Sequence, residues 1–576
     1  MQSLKGEQPA RMDEPGEGRL RARQVRLPVI VRAPIPVSGV GIMKTPRLLA
    51  LASALILFMV SPLLHAQTYT DVHDFNNSDG CCASYPSLLA QGEDGNIYGA
   101  TTSGGTGAGN IYMITPTGTF KNLFNFDGTH GRGPQGGLSL GFDGNFYGTT
   151  YQGGTGSAGT VFKITPSGTQ TVLYNFTNST DGAFPKAPPV QAPDGNLYGT
   201  TGNGTVATLY KITPSGTFSV LVNLPTETYS PLLVGTDGNL YGMTLHGGTF
   251  NGGTAFQFSP AKKKLKIIHN FGSGTDGGSP HGPLMQGVDG KLYGTTSGGG
   301  TSSGGIVFQM TTAGKTVSLV NFDTTHEANG ATPFAGVVQG SDGFLYGVAS
   351  VGGANGLGTL FKVKTNGTGF AVLHDFATAT GDSPLSTPLL HTNGKIYGLA
   401  FHGGSHNAYG AIYSMDAGLS PFVSQFVVYS GKVGSSVDIL GQGFSNATGV
   451  KFGTGAGTFV ASTDAFMTAT IVAGATTGVI TVLEPGGNLT TPQKFKIIPT
   501  ISTFNPKSGP VGTKVTITGM SLKQTTSVTI GKAKATFTTD SDTQVTATVG
   551  AGAVTGKVTL KTPGGTATAS GNFTVQ

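Results

Sequence analysis

The chain has 576 residues, of which 94 are glycine and 11% are charged, and it contains no tryptophan. Glycine this frequent without a three-residue period excludes a collagen-like chain and fits many tight turns between short strands. The net charge is +6, but residues 1–66 hold nine Lys/Arg and four Asp/Glu, so the remainder is nearly neutral and we expect no nucleic-acid partner.

The leader at residues 43–66 is predicted to be a secretory signal peptide. An apolar run at 48–64 follows two basic residues and ends at Leu64-His65-Ala66, the layout of a cleavable signal. A membrane anchor is the alternative, but the run is short for a span and contains Pro62. We interpret residues 1–42 as a mis-called or disordered extension. The mature chain is therefore expected to be secreted or on the cell surface, without a membrane span.

The two cysteines, Cys81 and Cys82, are adjacent. A bridge between neighbouring residues strains the peptide between them, so we expect them to stay unpaired. Two thiols alone are also a poor metal site.

One phrase, Asp-Gly-x-(Ile/Leu/Phe)-Tyr-Gly, occurs seven times, the last time with Asn393 in place of Asp. Its tyrosines are Tyr98, Tyr147, Tyr198, Tyr241, Tyr293, Tyr346 and Tyr397, at steps of 49, 51, 43, 52, 53 and 51 residues. A period near 50 indicates stacked supersecondary units. No long stretch has the 3.6-residue apolar spacing of a helix, so we expect almost no helix after the leader.

The unit around Tyr147 shows the predicted strands. Strands a to d are predicted at residues 137–140, 145–150, 160–164 and 170–176. The a–b turn is Asp143-Gly144, where glycine supplies the positive φ of a tight hairpin, and the c–d turn is Thr165-Pro166-Ser167-Gly168. Four short antiparallel strands of this kind form one blade of a β-propeller.

The number of d strands predicts a closed ring. One copy of the d pattern lies upstream of the first tyrosine, at Tyr69 to Phe75, while the last tyrosine unit shows strands a to c but no good d. The N-terminal strand can therefore complete the final blade, which pairs the two ends and removes exposed sheet edges. We predict a seven-bladed propeller over residues 67–418.

Two segments of similar form follow, at 419–498 and 499–576. They end alike, in Glu484-Pro485-Gly486-Gly487 and Thr562-Pro563-Gly564-Gly565. Alternating Thr/Val with turns every eight to twelve residues predicts two Ig-like β-sandwiches. The fold class is thus all-β: a seven-bladed propeller closed by an N-terminal strand, then two Ig-like sandwiches.

The repeated Tyr-Gly-x-Thr, Gly-Gly and Thr-Pro-x-Gly motifs resemble the GloVer-type tandem repeat of secreted bacterial proteins. Residues 420–576 resemble two IPT/TIG (Ig-like, E-set) domains, most strongly in the second copy. The repeat family implies no established activity. The IPT/TIG resemblance implies extracellular interaction modules and supplies no catalytic residues.

The short a–b and c–d turns share one face of the propeller, so binding is predicted on the opposite face, which carries the longer d–a and b–c loops and the channel mouth. Five residues after each tyrosine the repeats diverge; the candidate ligand-binding residues there are Ser103, Gln152, Asn203, His246 and His402. Neutral drift of a solvent-exposed loop is the alternative explanation and would produce the same divergence. We expect each repeated Asp to cap its own turn and each repeated Tyr to pack between blades.

No catalytic or metal-binding residue is predicted, and no cofactor. His402 and His406 lie four apart on a loop, but a metal needs a third ligand that the sequence does not identify. The four glutamates after residue 66 fall in different modules, without the paired carboxylates of acid–base hydrolysis. The favoured hypothesis is a monomeric secreted or surface adhesion protein that binds an extracellular glycan or surface protein, with Ig-like spacers. An extracellular carbohydrate-active or oxidative enzyme and a purely structural envelope protein are the alternatives.

Overall fold

Seven antiparallel sheets form the seven blades of a β-propeller, and two Ig-like β-sandwiches follow them. The computed structural model describes residues 67–81, 88–202, 204–325, 327–406, 409–426 and 428–576, and residues His65–Gln576 make up one compact unit. The predicted extension (1–42), the predicted signal peptide (43–66) and Asn203 lie outside the described residues.

Six blades have four strands each, ordered a–b–c–d from the channel outward. Blade 1 contains β2 (Ala90–Gln91), β3 (Ile97–Thr101), β4 (Asn110–Ile114) and β5 (Phe120–Asn125); blade 2 contains β6 (Leu138–Leu140), β7 (Phe146–Thr150), β8 (Thr160–Ile164) and β9 (Gln170–Asn175). Blade 3 contains β10 (Val190–Gln191), β11 (Leu197–Thr200), β12 (Thr208–Ile212) and β13 (Phe218–Asn223); blade 4 contains β14 (Leu233–Val234), β15 (Leu240–Thr244), β16 (Thr254–Ser259) and β17 (Lys264–Asn270). Blade 5 contains β18 (Met285–Gln286), β19 (Leu292–Thr296), β20 (Ser303–Met310) and β21 (Thr316–Asp323); blade 6 contains β22 (Val338–Gln339), β23 (Phe344–Ala349), β24 (Thr359–Lys364) and β25 (Ala371–Asp375). The strands predicted around Tyr147 are confirmed to within one residue at each end.

The seventh blade joins the two ends of the propeller. It contains β26 (Asp382–Pro384), β27 (Leu389–Leu390), β28 (Lys395–His402) and β29 (Ala411–Asp416), and its outer strand is β1 (Thr68–Asp74). β1 runs antiparallel to β29, from Thr68 opposite Asp416 to Asp74 opposite Ala411. The predicted ring closure by the N-terminal strand is confirmed.

The glycine of the repeated phrase is required by an aromatic side chain on the neighbouring strand. Gly148 on β7 is paired with Phe162 on β8, and the Phe162 ring lies over it so closely that a Cβ on Gly148 would be 2.4 Å from the ring. Equivalent glycines in the other six blades face Tyr112, Tyr210, Phe256, Phe308, Phe361 or Tyr413. Since a Cβ would displace these buried rings, only glycine fits.

The aspartate of the phrase holds both its own turn and the tyrosine. Asp143 Oδ1 accepts the Asn145 backbone N–H at 3.3 Å, and Asp143 Oδ2 accepts the Tyr147 hydroxyl at 2.9 Å. Five further Asp–Tyr pairs repeat this bond, and Asn393 donates to Tyr397 in blade 7. The tyrosine rings themselves are buried, with Tyr98 stacked on Phe146 of the next blade at 4.1 Å. Turn capping by Asp and packing of Tyr between blades are therefore both confirmed.

Both sandwiches have eight strands in the same order. The first contains β30 (Phe422–Phe426), β31 (Ser430–Gly431), β32 (Ser436–Gln442), β33 (Gly449–Phe452), β34 (Gly455–Ala461), β35 (Phe466–Ile471), β36 (Gly478–Leu483) and β37 (Leu489–Ile497). The second contains β38 (Thr500–Asn505), β39 (Ser508–Gly509), β40 (Lys514–Met520), β41 (Ser527–Ile530), β42 (Ala533–Thr539), β43 (Gln544–Thr548), β44 (Gly556–Thr562) and β45 (Gly565–Val575). Within the described residues, helix is limited to three 3-10 turns at Glu327–Asn329, Thr378–Thr380 and Phe444–Asn446.

The first sandwich covers the propeller face that carries the a–b turns. Phe142, in the blade 2 turn, lies 5.7 Å from Tyr429 between ring centroids. The Ser341 hydroxyl in the blade 6 turn donates to the Ser420 carbonyl at 2.8 Å. The opposite propeller face, with the d–a and b–c loops, is turned away from this contact. The predicted binding face is thus the one that the first sandwich leaves uncovered.

The expectation that the cysteines stay unpaired is wrong for Cys81, which is disulfide-bonded. The strain argument considered only the peptide between two neighbouring residues. Here Cys81 is also held by its backbone, because its N–H donates to the Ser103 carbonyl at 2.9 Å. Cys82 lies outside the described residues.

Candidate functional site

The loop that enters each blade pairs with the b–c loop of the same blade. The Arg132 N–H donates to the Gln152 carbonyl at 2.7 Å, and the Gln152 N–H donates back at 3.0 Å. Equivalent bridges join Cys81 to Ser103, Gly278 to Gly298 and Ala331 to Val351. In blades 1, 2, 5 and 6 these backbone pairs hold the two loops of the uncovered face together.

Of the sequence-predicted positions, Ser103 and Gln152 form these bridges. Ser103 is half-buried, whereas Gln152, His246 and His402 are exposed. The His246 carbonyl accepts the Thr226 hydroxyl at 2.8 Å, and His402 is opposite Asp382, with 3.7 Å between Nδ1 and Oδ1. Each residue is thus bound to the entry loop of its own blade. The charge of His246 also helps to lower the pKa of His281.

A second repeated position, closer to the channel axis, was not predicted. In blades 2 to 7 it is the residue that follows a proline, or Thr228 in blade 4, shortly before the inner strand; the equivalent position of blade 1 lies outside the described residues. We call these six residues the mouth ring: Gln135, Lys186, Tyr229, His281, Phe334 and Leu385. Because inner strands surround the channel, residues just before them lie around its mouth.

Backbone geometry explains why the ring residues occupy this place. The residue before the proline is in the left-handed region in several blades, for example Phe184 (φ 53°) and Ser279 (φ 56°). This turn lets the Phe184 N–H donate to the Ala158 carbonyl at 2.8 Å, which fastens the loop to the preceding blade. After the ring residue, small residues let the loops pack together, and a Cβ on Gly136 would lie 2.6 Å from the Ala187 Cα.

An ion pair bridges blades 3 and 4 at the ring. Lys186 Nζ lies 2.8 Å from Glu227 Oε2, and both side chains are about nine-tenths buried, with 10% and 8% exposed. The same ammonium lies 3.5 Å from the centroid of the Tyr229 ring, a cation–π distance. Burial lowers the pKa of Lys186, but its bonds to Glu227 and Tyr229 outweigh burial and leave the pKa raised. The lysine is therefore charged, with its charge balanced by Glu227.

His281 continues the ring as a neutral side chain. Its Nδ1 lies 2.9 Å from the Ser279 carbonyl and 3.1 Å from the Ser297 hydroxyl. Burial lowers the pKa of His281 to about 4, and the charges of His246 and Lys186 act in the same direction. The imidazole is thus uncharged at neutral pH, and at 2.9 Å from a carbonyl its Nδ1 is the donor.

Aromatic rings line the mouth on both sides of the ion pair. His281 contacts Tyr229 at 5.5 Å and Phe334 at 4.7 Å between ring centroids. On the other side Tyr151 lies 5.3 Å from Phe184. Tyr151, Phe184, Tyr229 and Phe334 are half-buried. They make an aromatic surface that contains one balanced ion pair and one neutral imidazole.

The mouth ring holds an ion pair rather than a pair of carboxyl groups. Glu227 is the one carboxylate among the ring contacts, and Lys186 holds it, whereas acid–base hydrolysis uses two positioned carboxyl groups. Among the residues that the structure describes, no group of three or more His, Cys, Asp or Glu could hold a metal. His402 has Asp382 as its neighbour, while His406 lies close enough to His73 to affect its pKa.

Architecture and site together define a closed seven-bladed β-propeller with an aromatic channel mouth and C-terminal Ig-like modules. The chain belongs to the Gloeobacter/Verrucomicrobia repeat family, which matches residues 56–232 and 227–459. An IPT/TIG domain matches residues 499–575. No curated protein sequence matches the chain.

Several solved structures are similar in fold. An oligogalacturonate lyase in complex with manganese is 12% identical, with a TM-score of 0.42, over 60% of this chain and 92% of that chain. An oligogalacturonate lyase from Vibrio parahaemolyticus is 11% identical, with a TM-score of 0.41, over 61% and 97%. A surface glycan-binding protein from Prevotella bryantii is 15% identical, with a TM-score of 0.22, over 27% and 42%. None of these similarities bears on the activity of this chain.

Within the described ranges, no helix is both long enough and apolar enough to cross a membrane.

Proposed function

We propose that this protein is an exported, non-catalytic binding protein whose mouth ring and neighbouring aromatic side chains hold a neutral glycan. The observation that carries the proposal is the arrangement of half-buried Tyr151, Phe184, Tyr229 and Phe334 around the channel mouth. Sugars present apolar C–H faces and hydroxyl edges. Aromatic walls with a few fixed polar groups suit such a ligand.

Charge supports a neutral rather than an acidic ligand. The Lys186 ammonium is already balanced by Glu227, and His281 is uncharged at neutral pH. An acidic sugar would need an unbalanced cation at the mouth, which these two residues do not supply. The polar atoms that remain can orient hydroxyl groups without a net charge.

Export is the second part of the proposal. It rests on the signal-like segment at residues 43–66 and on the cysteine chemistry, because a disulfide at Cys81 persists in an oxidising compartment. Analysis of the N-terminus of the protein recovered from the medium or envelope of the producing cell tests this part. A mature N-terminus at Gln67 supports it, and retention of the leader on a cytosolic protein contradicts it.

The binding proposal is tested with the compact unit His65–Gln576 on arrays of neutral and acidic glycans, followed by calorimetry. Phe334→Ala is expected to weaken a retained neutral glycan about tenfold, the loss of roughly 1.4 kcal/mol typical of an aromatic anchor. Phe250→Ala is the matched control, because Phe250 is exposed on a b–c loop of the same face but is not part of the ring. It should change affinity less than twofold.

Three results would contradict the proposal. One is the absence of retention on every neutral glycan. Another is retention that Phe334→Ala leaves intact. The third is the release of shortened sugars during incubation, which would show an enzyme. Selective capture of a surface protein by the same face, without any glycan, would replace the glycan by a protein ligand.

A further inference from the structure

The propeller axis holds a cavity beneath the first sandwich. Its volume is about 360 Å³, and its walls come from the inner strands of the blades. Leu138, Leu232, Leu284 and Leu389 are typical wall residues, and Tyr429 of the first sandwich forms part of the floor. We call this space the axial cavity. It lies at the end of the channel opposite the mouth ring.

The wall of the axial cavity is uncharged. Among the described residues that line it there is no Asp, Glu, Lys, Arg or His. Two side-chain amides in the wall, those of Gln191 and Gln91, are engaged in hydrogen bonds with their surroundings. Gln191 accepts the Phe142 N–H at 2.7 Å and donates to the Gly195 carbonyl at 2.7 Å. Gln91 bonds Thr392 through both ends of its amide.

An open cleft adjoins the axial cavity. It has a volume of about 480 Å³ and runs between blades 5 to 7 and the first sandwich. Leu389, Leu390, Ser424 and Gln493 line both spaces. The described lining residues of the cleft are also uncharged, and Val288 at its edge is 73% exposed. A ligand can therefore enter from the side without crossing a charged wall.

We propose that the axial cavity is a binding site for an uncharged, mainly apolar small molecule. A dry cavity of about 150 Å³ takes up benzene, so 360 Å³ has room for a two-ring aromatic or a medium-length acyl chain. Apolar ligands bind where they replace poorly bonded water on an apolar wall. A charged end would have to stay in the cleft, because the wall of the cavity offers it no counter-charge.

The site is shared between two modules, which has a measurable consequence. Blade residues form its walls, while Ser424, Tyr429 and Gln493 of the first sandwich close it. A ligand that needs both modules binds the docked arrangement and stabilises it. Ligand binding should thus raise the temperature at which the sandwich and propeller separate or unfold.

The test uses N-phenyl-1-naphthylamine, a neutral aromatic probe, titrated into the compact unit His65–Gln576 while its fluorescence is followed. We expect saturable binding of one probe per chain and a probe-dependent rise in melting temperature. Leu389→Trp fills the space where cavity and cleft meet and should weaken binding at least tenfold. Val317→Trp is the control, because Val317 is 51% exposed on the outer strand of blade 5; it should bind normally.

A second variant guards against misfolding. Ser424→Phe fills the same space from the sandwich side and should also weaken probe binding at least tenfold. This variant replaces Leu389→Trp in the test if Leu389→Trp, without probe, lowers the melting temperature more than Val317→Trp does. The proposal is overturned by binding that does not saturate, by more than one probe per chain, or by equal affinity in all folded variants. Leu389→Trp should leave glycan retention at the mouth ring unchanged. Failure of the axial-cavity proposal can therefore be distinguished from failure of the proposed glycan binding.

Discussion

Ring closure can be tested by comparing two phenylalanines that occupy equivalent places in different blades. Phe75 directly follows β1, is fully buried, and packs against Tyr112 of blade 1 with 5.5 Å between ring centroids. Phe176 directly follows β9, is equally buried, and packs against Tyr210 of blade 3 at 5.5 Å. Both side chains therefore seal the junction between two neighbouring blades.

Replacement of a fully buried phenylalanine by alanine costs about 3–5 kcal/mol. If β1 is packed into blade 7 as well as β9 is packed into blade 2, Phe75→Ala and Phe176→Ala should lower the free energy of unfolding by nearly the same amount. For a domain of this size each kcal/mol lowers the melting temperature by about 2 °C, so each variant should melt roughly 6–10 °C below the wild type. Thr70→Ala, an exposed position on β1, should shift it by less than about 1 °C.

Differential scanning calorimetry of the compact unit His65–Gln576 measures all three variants. The informative quantity is the difference between Phe75→Ala and Phe176→Ala, because both remove the same atoms from equivalent surroundings. A cost below about 1 kcal/mol for Phe75→Ala, beside the full cost for Phe176→Ala, would refute the closed ring and show that β1 is a weakly attached tail.

Three further predictions concern the blades and the mouth. Gly148→Ala should destabilise the protein by about 1–3 kcal/mol in urea unfolding, because its Cβ would lie 2.4 Å from Phe162. Gly486→Ala is the control, because Gly486 has open space around it and, like Gly148, no positive φ. Glu227→Gln should destabilise the folded protein by about 3–5 kcal/mol, since it leaves the charge of buried Lys186 unpaired. Adding Lys186→Met should restore most of the lost stability. Equal stability of the single and the double variant would contradict this reasoning. The folded pKa of His281, about 4, lies below its ordinary value of 6.5, so the unfolded chain binds the proton first as pH falls. Stability present above pH 6.5 should therefore be lost towards pH 4, by up to about 3 kcal/mol, and His281→Gln should remove that part of the pH dependence.

The blades were predictable because each residue of the repeated phrase has a local task. Asp143 bonds its own turn and Tyr147, and Gly148 makes room for a ring on the adjacent strand. Such short-range requirements recur at a fixed sequence spacing, so the period is visible without coordinates. The ring closure was predictable from the same pattern, because one d strand was present upstream and one was missing downstream.

The mouth ring was not predictable in the same way. Lys186, Tyr229 and His281 share a position before the inner strand but share no residue type. Their importance comes from contacts between residues 41 to 53 positions apart in the sequence, such as that of Lys186 with Glu227. Alignment of the repeats on their inner strands, rather than on their tyrosines, would have shown the variable position. The pairing of Lys186 with Glu227 would still have required the coordinates.

The first sandwich covers one end of the channel and leaves the other end open, so the two ends differ in access and in chemistry. The a–b turns face Tyr429 and Ser420, so a ligand at that end would meet uncharged walls and would have to enter from the side. The d–a and b–c loops remain uncovered, and their half-buried aromatic rings surround a balanced ion pair. The same tandem repeat thus produces two chemically different ends, because the turns are short and nearly uniform whereas the loops vary. Under the two proposals a polar glycan binds at the loop end and a small apolar molecule at the covered end, so variants at Phe334 and Leu389 should affect different ligands.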